Sequence, residues 1–176
     1  MIGRDKPTDS PLEQTMRRSF LVAAAFFLAP LLPVGSQAAT TIDVTLWDKG
    51  ADSEMMTGIG YGSAKVDRAK ANMGIKLSRD RALAGEITFR VTNNSKDTVH
   101  EMIVVPSPVK GGSLSYIEGD KKIDEDAAGH LGEVSELEPG KTGSLTLDLK
   151  PGSYLVLCNV AMHYMAGMWQ ELTVTP

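Results

Sequence analysis

Cysteine is nearly absent from this 176-residue chain: Cys158 stands alone, so the chain holds no internal disulfide. Histidine is scarce as well, with only His100, His130 and His163. Basic residues are outnumbered, 18 against 22 acidic, giving a formal net charge of −4, and no basic patch offers itself to nucleic acid. No internal repeat or low-complexity tract suggests a solenoid or a disordered tail. Long apolar runs are missing too. The best, from Phe20 to Leu32, is interrupted by Pro30 and falls short of the roughly 18 residues a spanning helix needs.

That short run has another reading. Arg17 and Arg18 precede it, and Ser36-Gln37-Ala38 closes it with small residues, the layout of an export signal cut after Ala38. Arg17-Arg18-Ser19-Phe20-Leu21 resembles a twin-arginine signal, and Met16 offers an alternative start. An uncleaved membrane anchor is the competing reading. No cysteine follows the run to carry a lipid. Removing residues 1–38 takes four basic and three acidic residues and leaves a net charge of −5. The expected organisation is an export signal over 1–38 and one domain over 39–176, in the periplasm. In an oxidising compartment an unpaired cysteine implies intermolecular pairing, a reactive thiol or a metal ligand.

The remainder reads as strands and turns. Residues 41–47 (TIDVTLW), 86–91 (EITFRV) and 144–149 (SLTLDL) alternate apolar and polar side chains, the period of a half-buried strand. Residues 99–105 (VHEMIVV) are rich in β-branched side chains and stop at Pro106, and 154–158 and 169–174 complete the set. Asn93-Asn94-Ser95 and Pro151-Gly152 mark turns. The pattern predicts an all-β sandwich or barrel. Residues 50–73 have room for one short helix. Residues 107–140, rich in Gly, Asp, Glu and Lys, read as a surface excursion with one strand.

The chemistry concentrates in residues 157–169, LCNVAMHYMAGMW. Cys158, His163 and Met168 fall within eleven residues, on a loop between two predicted strands. Thiolate and thioether favour Cu(I), and imidazole suits both oxidation states of copper. A fourth ligand has to come from elsewhere. His100 stands at the start of an apolar strand, where it can face the loop, and is better placed than His130 in the polar excursion.

His100 followed by Cys158-x4-His163-x4-Met168 resembles the cupredoxins, the small type 1 blue copper proteins, with a loop spacing most similar to the rusticyanin and azurin types. Residues 151–158 (PGSYLVLC), Gly167-Met168-Trp169, the closing ELTV and Asn93–Ser95 also resemble the family. The resemblance covers roughly residues 80–105 and 140–176 and is absent from about 107–138. It implies a Greek-key sandwich, one copper ion held by His100, Cys158, His163 and an axial Met168, and single-electron transfer to a redox partner such as a cytochrome or oxidoreductase. It also implies that His163 reaches the surface through a patch of Val160, Met162, Tyr164 and Met165. No nucleic acid is expected as a partner, and a monomer is expected.

Two departures stand out. Ala161 and Met162 replace the Pro or Gly that relatives often carry before the loop histidine. Glu101 follows His100 where a small polar residue is common, which puts the hydrogen bonding to the cysteine sulfur in question. Met162 and Met165 are read as apolar packing round the site, with an alternative axial ligand or a soft Cu(I)-accepting patch as the sharper reading. A copper carrier or resistance protein is the rival function. An enzyme is not expected, because three histidines cannot build the paired His-x-His motifs of multicopper oxidases or a second histidine-rich copper site.

Overall fold

A computed structural model describes residues 39–50, 52–63, 67–109 and 112–176. The predicted export signal lies outside the described residues.

Among the described residues, eleven strands make two main sheets and a two-stranded ribbon. The first sheet is ordered β2–β1–β4–β9, from β1 (Thr40–Asp48), β2 (Met73–Leu77), β4 (Gly85–Asn93) and β9 (Thr142–Leu149). The second is ordered β3–β11–β10–β5–β8, from β3 (Arg81–Leu83), β5 (His100–Pro106), β8 (Gly132–Leu137), β10 (Gly152–Leu157) and β11 (Trp169–Thr175). β1 runs parallel to β4 and β3 parallel to β11; the other pairs are antiparallel. The expected all-β sandwich is the fold observed.

Alternation decides which side chains enter the core. Ile42, Val44 and Leu46 of β1 and Ile87, Phe89 and Val91 of β4 are all at most 1% exposed. They meet Met102 and Val104 of β5, Val156 of β10 and Leu172 and Val174 of β11 in one cluster. Removing these apolar side chains from water is the main force holding the two sheets together.

β5 departs from alternation: its first six residues are all buried. The residues between β5 and β9 are the reason. Their ribbon, β6 (Tyr116–Ile117) with β7 (Lys122–Ile123), and a four-residue helix α1 (Glu125–Ala128) bring Leu114 and Ile123 onto the outer face of the second sheet. There they pack with Ile103, Val105, Leu155, Leu157, Tyr164 and Trp169. The stretch predicted as a surface excursion is thus a second cover, and it contributes β8 to the sheet as well as the ribbon. In residues 50–73 the expected helix is a three-residue 3-10 turn, Arg68–Lys70.

Candidate metal centre

The site sits where the sheets end. His100 opens β5. It has the same parity as Met102 and Val104, so its side chain faces inward with theirs. Between the His100–Leu137 and Met102–Val134 pairs, β8 carries one residue more than β5, a bulge that ends regular pairing beside the histidine. Cys158 follows β10 directly and Met168 precedes β11. The Cys158 amide donates to the Met168 carbonyl at 3.0 Å, closing the base of the loop.

Inside the loop the backbone turns tightly. The amides of His163 and Met168 donate to the carbonyls of Val160 and His163, and that of Ala166 to Met162. Met162 holds a left-handed φ of 71°, the conformation glycine adopts freely. That is a physical reason for glycine before the loop histidine, and here methionine bears the cost. Gly167, at φ 98°, has no such freedom to change: a Cβ would lie 2.9 Å from Ile59 Cδ1.

Three donor atoms converge. His100 Nδ1 is 3.2 Å from His163 Nδ1, which is 3.4 Å from Cys158 Sγ. The three groups are fully or almost fully buried and lie within 4.8 Å of one another. Burial holds the His100 imidazole below its ordinary pKa against the pull of Asp48. Burial, with His100 beside it, takes His163 down to about 4. Both rings are therefore neutral at pH 7, the form that ligates metal. Burial pushes the Cys158 thiol up to about 12, despite hydrogen bonds from the Glu101 and Val160 amides. A cation has to displace its proton.

Met168 is fully buried and belongs to the same cluster as Cys158. His130 is not part of this group. It stands 3.9 Å from Glu125 and 3.8 Å from Glu133 in a separate, partly exposed cluster. The structure therefore brings His100, rather than His130, to the loop. Glu101 leaves the sulfur's hydrogen bond intact, because its backbone amide, 3.4 Å from Sγ, makes the contact. The residue is 7% exposed and its Oε1 has no hydrogen-bond partner; burial raises the carboxyl's pKa.

Two features go beyond the sequence reading. Asp48, at the end of β1, places Oδ2 2.7 Å from His100 Nε2, with both side chains buried. Burial alone would raise this carboxyl, but hydrogen bonds from Ser95, His100 and the Gly50 amide outweigh it and hold the pKa below the ordinary value. No short-range signal pairs residues 48 and 100; only a strand-terminal aspartate hints at it. Second, residues 57–63 strap the back of the loop. The Ile59 amide donates to the Met165 carbonyl, Trp169 Nε1 to the Ile59 carbonyl and the Tyr164 hydroxyl to the Tyr61 carbonyl, at 2.9–3.2 Å.

The expected exposure of His163 is corrected. The residue is 4% exposed and Tyr164 3%, because Tyr164 packs inward under the strap. Ala161 is the exposed residue here, flanked by half-buried Val160 and Met162. Met162 and Met165 line a cleft of about 370 Å³ with Thr57, Gly58, Tyr116, Glu118 and Lys121.

A two-sheet sandwich with a histidine opening one strand, and cysteine, histidine and methionine on the loop between two others, has the architecture of the cupredoxins. No family model matches the sequence. Auracyanin-B of Chloroflexus aurantiacus is 26% identical over 106 residues, 60% of this chain; the match spans 38% of that relative's length. A solved structure of auracyanin B superposes with a TM-score of 0.50 at 20% identity, over 81% of this chain and 94% of the other. Auracyanin A, a "blue" copper protein from the same bacterium, gives 0.48 at 19% identity, over 78% and 100%. The fold is that of auracyanin B.

Proposed function

We propose that this protein is a type 1 copper protein that carries single electrons between redox partners. The observation that carries this reading is the convergence of two neutral imidazole nitrogens and one thiol sulfur in a buried pocket at the end of a sandwich. Two histidines and a cysteine, with a weak axial methionine, form the donor set suited to copper that cycles between oxidation states. His100, Cys158 and His163 are the equatorial ligands in this reading and Met168 the axial one. Bound copper supplies the one-electron couple.

The protein's part is to hold the ligands still. β5, β10 and β11 are adjacent strands, and each fixes one end of the donor set. Burial excludes water, and the amide of Glu101 donates to the sulfur. A frame of this kind limits the rearrangement that accompanies a change of oxidation state. It performs no bond-making chemistry, so the protein acts as a carrier rather than an enzyme. The partner is a redox protein, a cytochrome or an oxidoreductase, met as a monomer in the periplasm. Among the described residues no helix is long and apolar enough to cross a membrane.

The test is the visible spectrum of the purified protein with Cu(II), beside Cys158→Ser. An intense thiolate-to-copper band is expected, absent in the variant and bleached reversibly by a mild reductant. A protein that shows no such band while its thiol still reacts refutes the reading. Copper that exchanges with a chelator faster than it cycles moves the assignment to copper carriage.

A further inference from the structure

One charged side chain at the centre has no part in the donor set. Asp48 comes from the first sheet, whereas His100 belongs to the second. Its side chain is 3% exposed, and the His100 ring it touches is fully buried. Taking a carboxylate out of water costs several kcal/mol unless its oxygens are satisfied. Here they are: Oδ1 accepts the Gly50 amide at 2.7 Å, and Oδ2 faces His100 Nε2 at 2.7 Å. Gly50 reaches that position with φ 101°, a conformation few other residues tolerate.

The geometry constrains the imidazole. A neutral ring carries one N–H, and an ionised carboxylate only accepts. Nε2 therefore holds the hydrogen, and Nδ1 presents a bare lone pair. Nδ1 is the atom that lies 3.2 Å from His163 Nδ1. The opposite tautomer would leave a buried carboxylate facing a bare nitrogen and a hydrogen facing the centre. A carboxylate behind a ligating histidine also makes the ring a stronger donor.

We propose that Asp48 is a positioning residue of the metal centre: it locks His100 in the Nε2–H tautomer and sets a fixed negative charge behind the ligand that favours Cu(II) over Cu(I). This deepens the type 1 copper reading and, in its redox half, rests on it. Asp48→Asn keeps an oxygen that accepts from Nε2 but removes the charge. Partners of this kind change metal affinity by about 10- to 100-fold. A tenfold loss of Cu(II) affinity relative to Cu(I) is expected, equal to a rise of about 59 mV in the one-electron potential. Asp48→Ala loses the tautomer lock as well. Asp43→Asn, at an exposed residue of the same strand paired with Arg90, controls for net charge.

Two measurements decide it. Nitrogen NMR of the metal-free wild type reports which His100 nitrogen is protonated, and redox titration followed in the visible band reports the potential. Support is an Nε2–H in the wild type that is lost in Asp48→Ala, with the potential raised in Asp48→Asn and unmoved in Asp43→Asn. The proposal is overturned by an Nδ1–H tautomer, or by an Asp48→Asn protein whose Cu(II)/Cu(I) affinity ratio stays within about twofold of wild type while its band is intact. A wild type with no copper band refutes the copper reading and the redox half together, and the tautomer still stands or falls on the NMR. If neither variant folds, the wild-type nitrogen spectrum decides: an Nε2–H supports the lock and an Nδ1–H overturns it.

Discussion

Acid should destabilise the metal-free protein at a point set by His163. In the unfolded chain a histidine takes up its proton near 6.5; in the folded protein burial and the neighbouring His100 delay this to about 4. Between those values the unfolded state binds more protons, so folding stability falls as pH falls and is fully present above about 6.5. At about 1.4 kcal/mol per pH unit of difference, the full loss is roughly 3 kcal/mol. Three neighbours modify the curve. His100, also held below its ordinary value by burial, adds a loss in the same direction. Asp48, held below its ordinary pKa, adds a loss at still lower pH. Glu101, raised by burial, acts the other way and gains stability as it protonates. The assay is urea unfolding of metal-free protein between about pH 7 and about pH 4.5, for wild type and for His163→Gln. The wild-type curve should steepen below about 6.5, and the variant should steepen less, keeping only the part due to His100. Parallel curves would refute the reasoning, because they would mean that the imidazole gains its proton as easily folded as unfolded.

Other expectations follow from the same structure. Copper uptake releases the Cys158 proton, held to about 12, while both imidazoles stay neutral. The apparent Cu(II) association constant should therefore rise about tenfold per pH unit above the range where His163 titrates, as read by competition with a chelator of known pH dependence. Met162→Gly should stabilise the fold by about 1 kcal/mol, since the left-handed backbone at φ 71° costs methionine what it does not cost glycine; denaturant midpoints check this. Phe89→Ala removes the largest of the fully buried core side chains and should cost about 3–5 kcal/mol in the same assay, with the visible band intact while the protein is folded.

Legibility in the sequence followed the range of the interactions. Residues 41–47 and 144–149 announced β1 and β9 because each strand buries one face and so alternates. β3 has three residues and the ribbon strands two each, too few for a period to show. β8 carries Glu133 and Glu136 among its six residues and looks like loop until β5 pairs with it. At the site, Cys158, His163 and Met168 were visible as a group because one loop carries them. His100 could be inferred because strand ends gather at one end of a sandwich. Asp48 could not, since its pairing spans 52 residues and both sheets. The burial of His163 was hidden for the same reason: it depends on contacts such as that of Ile59 with Met165, over a hundred residues apart.

That burial bears on how electrons would leave the centre. With His163 4% exposed and Tyr164 turned inward, the outermost part of the ligand loop is Ala161, two residues before the histidine. A redox partner needs only a small contact, and this rim is the shortest way in along the chain. Self-exchange between reduced and oxidised copies tests the idea without a known partner, because two identical rims must then meet. Ala161→Glu sets two like charges opposite each other, a cost of about 1 kcal/mol at contact distance in a watery interface, or a slowing of about fivefold. The slowing should shrink as salt rises, and Ala161→Gln should show little of it. NMR line broadening in mixtures of the two oxidation states measures the rate, and the visible band shows whether the centre is undisturbed. An unchanged rate with an intact band would place the electron's exit elsewhere on the surface.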